Sequence, residues 1–157
     1  MLLLAVLLLL VLTVGAAGGM NVLMKTLLNP GDEVLIPQPS FVSYLPCAVL
    51  ADGVPVVINL KAENEFRLTA QELEDAITDK TKLLVLPFPN NPTGAIMTQK
   101  DLEEIAEVLR GTEIMVLSDE IYGELTYGER EHVSITSLPD MQDRTLLVGG
   151  FSKAFAM

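Results

Sequence analysis

The chain has 157 residues, half of them hydrophobic, which is enough material for one packed domain. A net charge of −11, from 21 acidic and 10 basic residues, argues against a nucleic-acid backbone or an anionic membrane surface as partner. The single cysteine, Cys47, excludes an internal disulfide and a cysteine-based metal cage, and it fits a reducing, cytoplasmic compartment.

Met1 to Leu12 contains no polar residue, and no charge precedes Lys25. A signal peptide has an apolar core of this length but normally carries a positive n-region. A membrane span is disfavoured because Gly15, Gly18 and Gly19 interrupt the run. The run is therefore read as a buried strand, followed by a glycine turn and a helix from Met20 to Leu28. Asn29-Pro30-Gly31-Asp32 stops that helix, and Glu33 to Pro37 forms a short buried strand. Ser40 to Leu50 reads as a helix with Cys47 in the core. Val54 to Leu60 reads as a strand that Pro55 assigns to a sheet edge.

Thr69 with Glu72 matches a capping box and opens a helix to about Thr78. Lys82 to Phe88 is the next strand, ending in the turn Pro89-Asn90-Asn91-Pro92-Thr93-Gly94. Thr98 caps a helix that runs through Leu102, Ile105, Ala106 and Leu109 to its stop at Gly111. Ile114 to Leu117 is a strand before Ser118-Asp119-Glu120-Ile121-Tyr122. His132, beside Glu129, Arg130 and Glu131, reads as a surface-turn residue without a catalytic role. Thr145 to Val148 is the last strand, before Gly149-Gly150-Phe151-Ser152-Lys153. This alternation is that of an α/β domain. Asn91, Asp119 with Tyr122, and Ser152 with Lys153 each follow an apolar strand, so they are expected to converge on one crevice at the carboxyl ends of the strands.

Pro89 to Gly94, then Asp119-Glu120-Ile121-Tyr122, then Gly150-Phe151-Ser152-Lys153-Ala154-Phe155-Ala156-Met157 resemble the class I/II aminotransferases, in that family's order and at about its spacing. Asn29 to Val34 and Pro39-Ser40-Phe41 add to the resemblance, which covers nearly the whole chain from about Thr13. It implies a three-layer α/β/α sandwich with a mostly parallel sheet, here over 1–157 as part of the large domain of a fold-type I enzyme that uses pyridoxal 5'-phosphate (PLP). The parent enzyme would move an amino group from an amino acid to a 2-oxo acid, as a homodimer and with no metal.

Residue by residue, the resemblance makes Lys153 the amine that links to the cofactor aldehyde and moves a proton. Asp119 is implied as the partner of the pyridine nitrogen, and Tyr122 and Asn91 as hydrogen-bond partners of the ring's phenolic oxygen. Phe41 would stack on the ring, with core packing as the alternative. Ala16 and Ala17 would offer backbone amides to the phosphate, and Ser152 a hydroxyl. Gly150 stands where many relatives have a second serine. The resemblance also implies an N-terminal arm, a phosphate arginine after the lysine and a small domain with the substrate-carboxylate arginine, all outside this stretch. Three rivals stay open at this point: a PLP-dependent carbon–sulfur lyase or aminocyclopropane carboxylate synthase, an aminotransferase-like effector domain of a transcription regulator, and an inactive truncated remnant.

Overall fold

The computed structural model describes residues 10–128 and 131–157. Five parallel strands form one sheet in the order β2-β1-β3-β4-β5. They are β1 (Glu33–Gln38), β2 (Val54–Asn59), β3 (Thr81–Leu86), β4 (Met115–Asp119) and β5 (Thr145–Val148). The helices are α1 (Gly15–Leu27), α2 (Tyr44–Leu50), α3 (Ala70–Ala76), α4 (Gln99–Leu109) and α5 (Phe151–Ala154).

The apolar runs of β1 and β3 lack polar alternation because both faces of the sheet are covered. Val34, Ile36, Leu83, Val85 and Leu117 point to one face, where they pack with Met20 and Met24 of α1 and Cys47 and Ala48 of α2. Leu35, Leu84, Leu86 and Val116 point to the other, against Leu73 of α3 and the stripe Leu102, Ile105, Ala106 and Leu109 of α4. The period of two along each strand thus yields the expected three-layer α/β/α sandwich. β2 lies at a sheet edge, as Pro55 requires.

The predicted capping box forms at α3, Thr69 with Glu72, and the predicted N-cap Thr98 forms a second one with Asp101 at α4. Arg67 Nη1 binds Asp101 Oδ2 at 2.9 Å. The Asp101 carboxyl is held below its ordinary value: burial opposes this, but hydrogen bonds from Thr98 and the Arg67 charge outweigh it.

The N-terminal run departs from expectation. Met1 to Leu9 lie outside the described residues. Leu10, Val11 and Leu12 are exposed and have no regular structure, so this end of the run is not a buried strand. α1 starts at Gly15, so the Gly/Ala stretch forms its first turn, as two alanines permit. α2 starts at Tyr44, and the preceding residues are turn.

The order β2-β1-β3-β4-β5 puts a topological switch point between β1 and β3. From there the chain winds outward in both directions. Replacing Ile105, fully buried on the sheet-facing side of α4, with Ala should cost about 2–5 kcal/mol, and Thr98→Ala about 1 kcal/mol, in urea unfolding of the chain.

Candidate functional site

The buried polar residues among those described are Ser40, Asn90, Ser118 and Asp119. All lie at or just beyond the carboxyl ends of β1, β3 and β4, the rim where an α/β sheet with this order collects ligands. Burying polar groups costs free energy unless they are partnered, so their concentration on one rim makes it the candidate functional edge.

Asp119 is the last residue of β4, and 5% of its surface is exposed. Its Oδ2 accepts a 2.8 Å hydrogen bond from the Tyr44 hydroxyl, and Oδ1 accepts one of 3.2 Å from the Ile121 N–H. Burial pushes the carboxyl above its ordinary value, and the neighbouring Glu120 adds to this. The donors Tyr44 and Ile121 act in the opposite sense but do not cancel it. The Tyr44 hydroxyl is pushed far up, first by its own burial and then by the Asp119 charge, so it remains a donor.

Phe41, half-buried, meets the Tyr44 ring edge-on at 5.8 Å between centroids. Tyr122 follows Asp119 by three residues and lies beside the exposed Lys153, whose Nζ is 5.9 Å from the ring centroid. Lys153 and Ser152 sit on the short α5, directly after β5. Asn91 is exposed on the turn after β3. Its neighbour Asn90 is buried and donates from Nδ2 to the Pro39 carbonyl at 3.2 Å, bridging the two sides of the switch point. Ser40 Oγ and Asn90 Oδ1 are buried there without a protein partner among the described residues, a cost that a ligand or water would relieve.

α1 runs into β1 and packs on α2, and Ala16 and Met20 join the cluster that holds Tyr44, Phe41 and Val148. Its N-terminus has no side-chain cap, so first-turn N–H groups, those of Ala16 and Ala17 among them, remain without an intrahelical partner.

The structure thus links Asp119 with Phe41 through Tyr44, and brings Tyr122 to Lys153. It leaves Asn91, Ser152 and Ala17 exposed on their turns. Tyr44 and Asn90 escaped the sequence reading. Tyr44 looks like an ordinary helix residue, and Asn90 like turn chemistry. The apolar and turn-forming surroundings give no sign of either contact.

A doubly wound α/β domain with an acid, a tyrosine and a lysine beyond successive strands belongs among ligand-binding α/β folds. This chain belongs to the aminotransferase class I and II family, whose model matches residues 9–157. It is 48% identical over 146 residues to an aromatic-amino-acid aminotransferase of Thermococcus litoralis, covering 93% of this chain and 38% of that protein. It is 47% identical over 144 residues to an aspartate aminotransferase of Pyrococcus abyssi, covering 92% and 37%. Among solved structures, an aromatic aminotransferase from Pyrococcus horikoshii superposes with a TM-score of 0.88 at 48% identity, over 91% of this chain and 38% of that one. The chain therefore spans a little over a third of the length of these relatives.

Two outcomes follow from the Asp119 environment. Tyr44→Phe removes a donor that favours the carboxylate, so the Asp119 titration midpoint should rise further, as read by carboxyl carbon NMR. An unchanged midpoint would deny the hydrogen bond its electrostatic role. A carboxyl raised in the folded state contributes stability below its unfolded value and loses it as pH rises through the folded value. The stability of Asp119→Asn relative to the native chain should accordingly increase with pH above the ordinary carboxylate range, in urea melts at successive pH values.

Proposed function

We propose that this chain is part of the large, cofactor-binding domain of a PLP-dependent aminotransferase, with Lys153 as the cofactor lysine. The observation that carries the reading is Asp119: a buried carboxyl with raised proton affinity, on the same sheet rim as Lys153. The family generally uses PLP. When bound, PLP supplies the electron sink that lets an amino acid lose its α-proton.

The residues present fit that group. Each Asp119 oxygen accepts one hydrogen bond, which leaves lone pairs for a ring N–H. The Asp119 carboxylate charge, shielded from water by burial, would favour the proton on a pyridine nitrogen placed against it. Lys153 would link to the cofactor aldehyde and, once freed, carry a proton. Its position beside Tyr122 puts a hydroxyl-bearing ring next to that amine. Tyr122 and Asn91 would donate to the ring's phenolic oxygen, and Phe41 would cover a ring face. The uncapped start of α1, at Ala16 and Ala17, and the Ser152 hydroxyl would take the phosphate.

The substrates would be an amino acid and a 2-oxo acid, and the whole enzyme a homodimer in the cytoplasm. The reducing setting is consistent with the buried free thiol of Cys47. The similarity to proteins named as aminotransferases favours this over a carbon–sulfur lyase, a synthase of the aminocyclopropane type or a regulator's effector domain.

Borohydride reduction of the chain incubated with PLP, followed by peptide mapping, should place the pyridoxyl label selectively on Lys153. Asp119→Ala should lower that labelling about tenfold, the equivalent of one hydrogen bond to a charged group. Label spread evenly over Lys25, Lys61, Lys80, Lys82, Lys100 and Lys153 would sink the reading.

A further inference from the structure

Glu120, the residue after Asp119, gathers three side chains. His132 Nε2 lies 2.6 Å from its Oε2, while Ser134 Oγ at 2.7 Å and Ser118 Oγ at 2.9 Å both donate to its Oε1. The Glu120 and His132 side chains are only 11% and 17% exposed. His132 is therefore not the free surface-turn residue its charged neighbours suggested: the chain returns from its excursion and lays the imidazole against the end of β4. An ionised carboxylate only accepts, so Nε2 is the donor in this pair.

A second contact reaches the site. A Cβ added at Gly123 would lie 2.9 Å from His132 Cδ2 and 3.1 Å from the Glu120 carbonyl, so the imidazole fills the space that this glycine leaves open. Gly123 is the residue after Tyr122, and its N–H closes a 2.8 Å turn onto the Glu120 carbonyl. The Leu125 N–H does the same onto the Tyr122 carbonyl. The returning segment is itself held from the core: Ser134 caps the 3₁₀ turn Ile135–Ser137, and Ile135 and Leu138 are buried under the sheet.

We infer that His132 is a positioning residue for Tyr122. Anchored through the returning segment, it grips the Glu120 carboxylate on one side and the Gly123 backbone on the other, and so holds the turn that carries the Tyr122 ring beside Lys153. The placement of the turn stands on this geometry alone. Its consequence for the cofactor rests on the function proposed above.

The experiment compares the chain with His132→Ala and His132→Gln, whose amide can still donate to Glu120. Amide hydrogen exchange is read without PLP, and Lys153 labelling by borohydride is read with PLP. In His132→Ala, exchange at Gly123 and Leu125 should quicken about tenfold while β3 and β4 keep their protection, as expected of a local opening. Labelling of Lys153 should fall, and His132→Gln should restore part of both. Unchanged exchange at the turn overturns the inference. So does a rise shared equally by β3 and β4, which would make His132 a general stabiliser. Faster exchange at the turn with undiminished Lys153 labelling also overturns it, since Tyr122 would then need no such support. If the native chain takes no selective label, the PLP reading fails, and the exchange result alone decides where His132 acts.

Discussion

The hydrogen bond between Tyr44 and Asp119 joins two elements separated by 75 positions in sequence. A carboxylate at the end of a strand enclosed on both faces has little access to water, so donors must come from the protein. One comes from the backbone of Ile121, which holds the start of the next segment. The other comes from Tyr44 at the start of α2, which ties that helix to the end of β4, and Phe41, just before the helix, meets the same ring edge-on. The raised proton affinity of Asp119 is what remains of the burial cost after both donors have acted. Without this contact the rim would hold an under-partnered buried carboxyl, and α2 would lose its polar tie to the centre of the sheet.

The two-sided burial of the sheet explains why the chemistry gathers at its edge. The middles of β1, β3 and β4 are enclosed by helices, which leaves room there only for Leu, Val and Ile. Polar groups are tolerated where the strands end and loops and helix termini supply partners. Parallel strands bring those ends to one side, so Gln38, Leu86, Asp119 and Val148 all deliver their following loops to the same rim. Ala16, in the uncapped first turn of α1, packs on the cluster that holds Tyr44 and Val148. The topology thus brings the Asp119 carboxyl and the Lys153 amine to one rim of the sheet.

Beside that site lies a second polar cluster, built on Glu120. Its acceptor capacity is shared among β4, the returning segment and His132. The two acidic neighbours have different partners: Asp119 turns to a tyrosine on one side of the sheet, and Glu120 to a histidine and two serines on the other. Alternation along an extended strand end separates consecutive side chains in this way.

Much of the architecture was legible from local chemistry. Continuous apolar runs such as Leu83-Leu84-Val85-Leu86 marked strands buried on both faces. Thr69 and Thr98 marked helix starts, Pro55 marked an edge, and the motifs around Asn91, Asp119 and Lys153 marked the rim. These signals are local because hydrogen-bonding geometry and side-chain period act within a few residues. The start of α1 was misplaced because Gly15 to Gly19 reads equally as a turn or as a first helical turn, and packing against α2 favours the helix. Tyr44, Asn90 and His132 were passed over or read as ordinary because each acquires its role from a partner distant in the chain or across a loop. The sequence by itself determined the strands, the caps and the residue types that meet at the rim. Only the tertiary structure decided which of those groups are dry and what they touch, since burial and long-range contact belong to the packed chain as a whole.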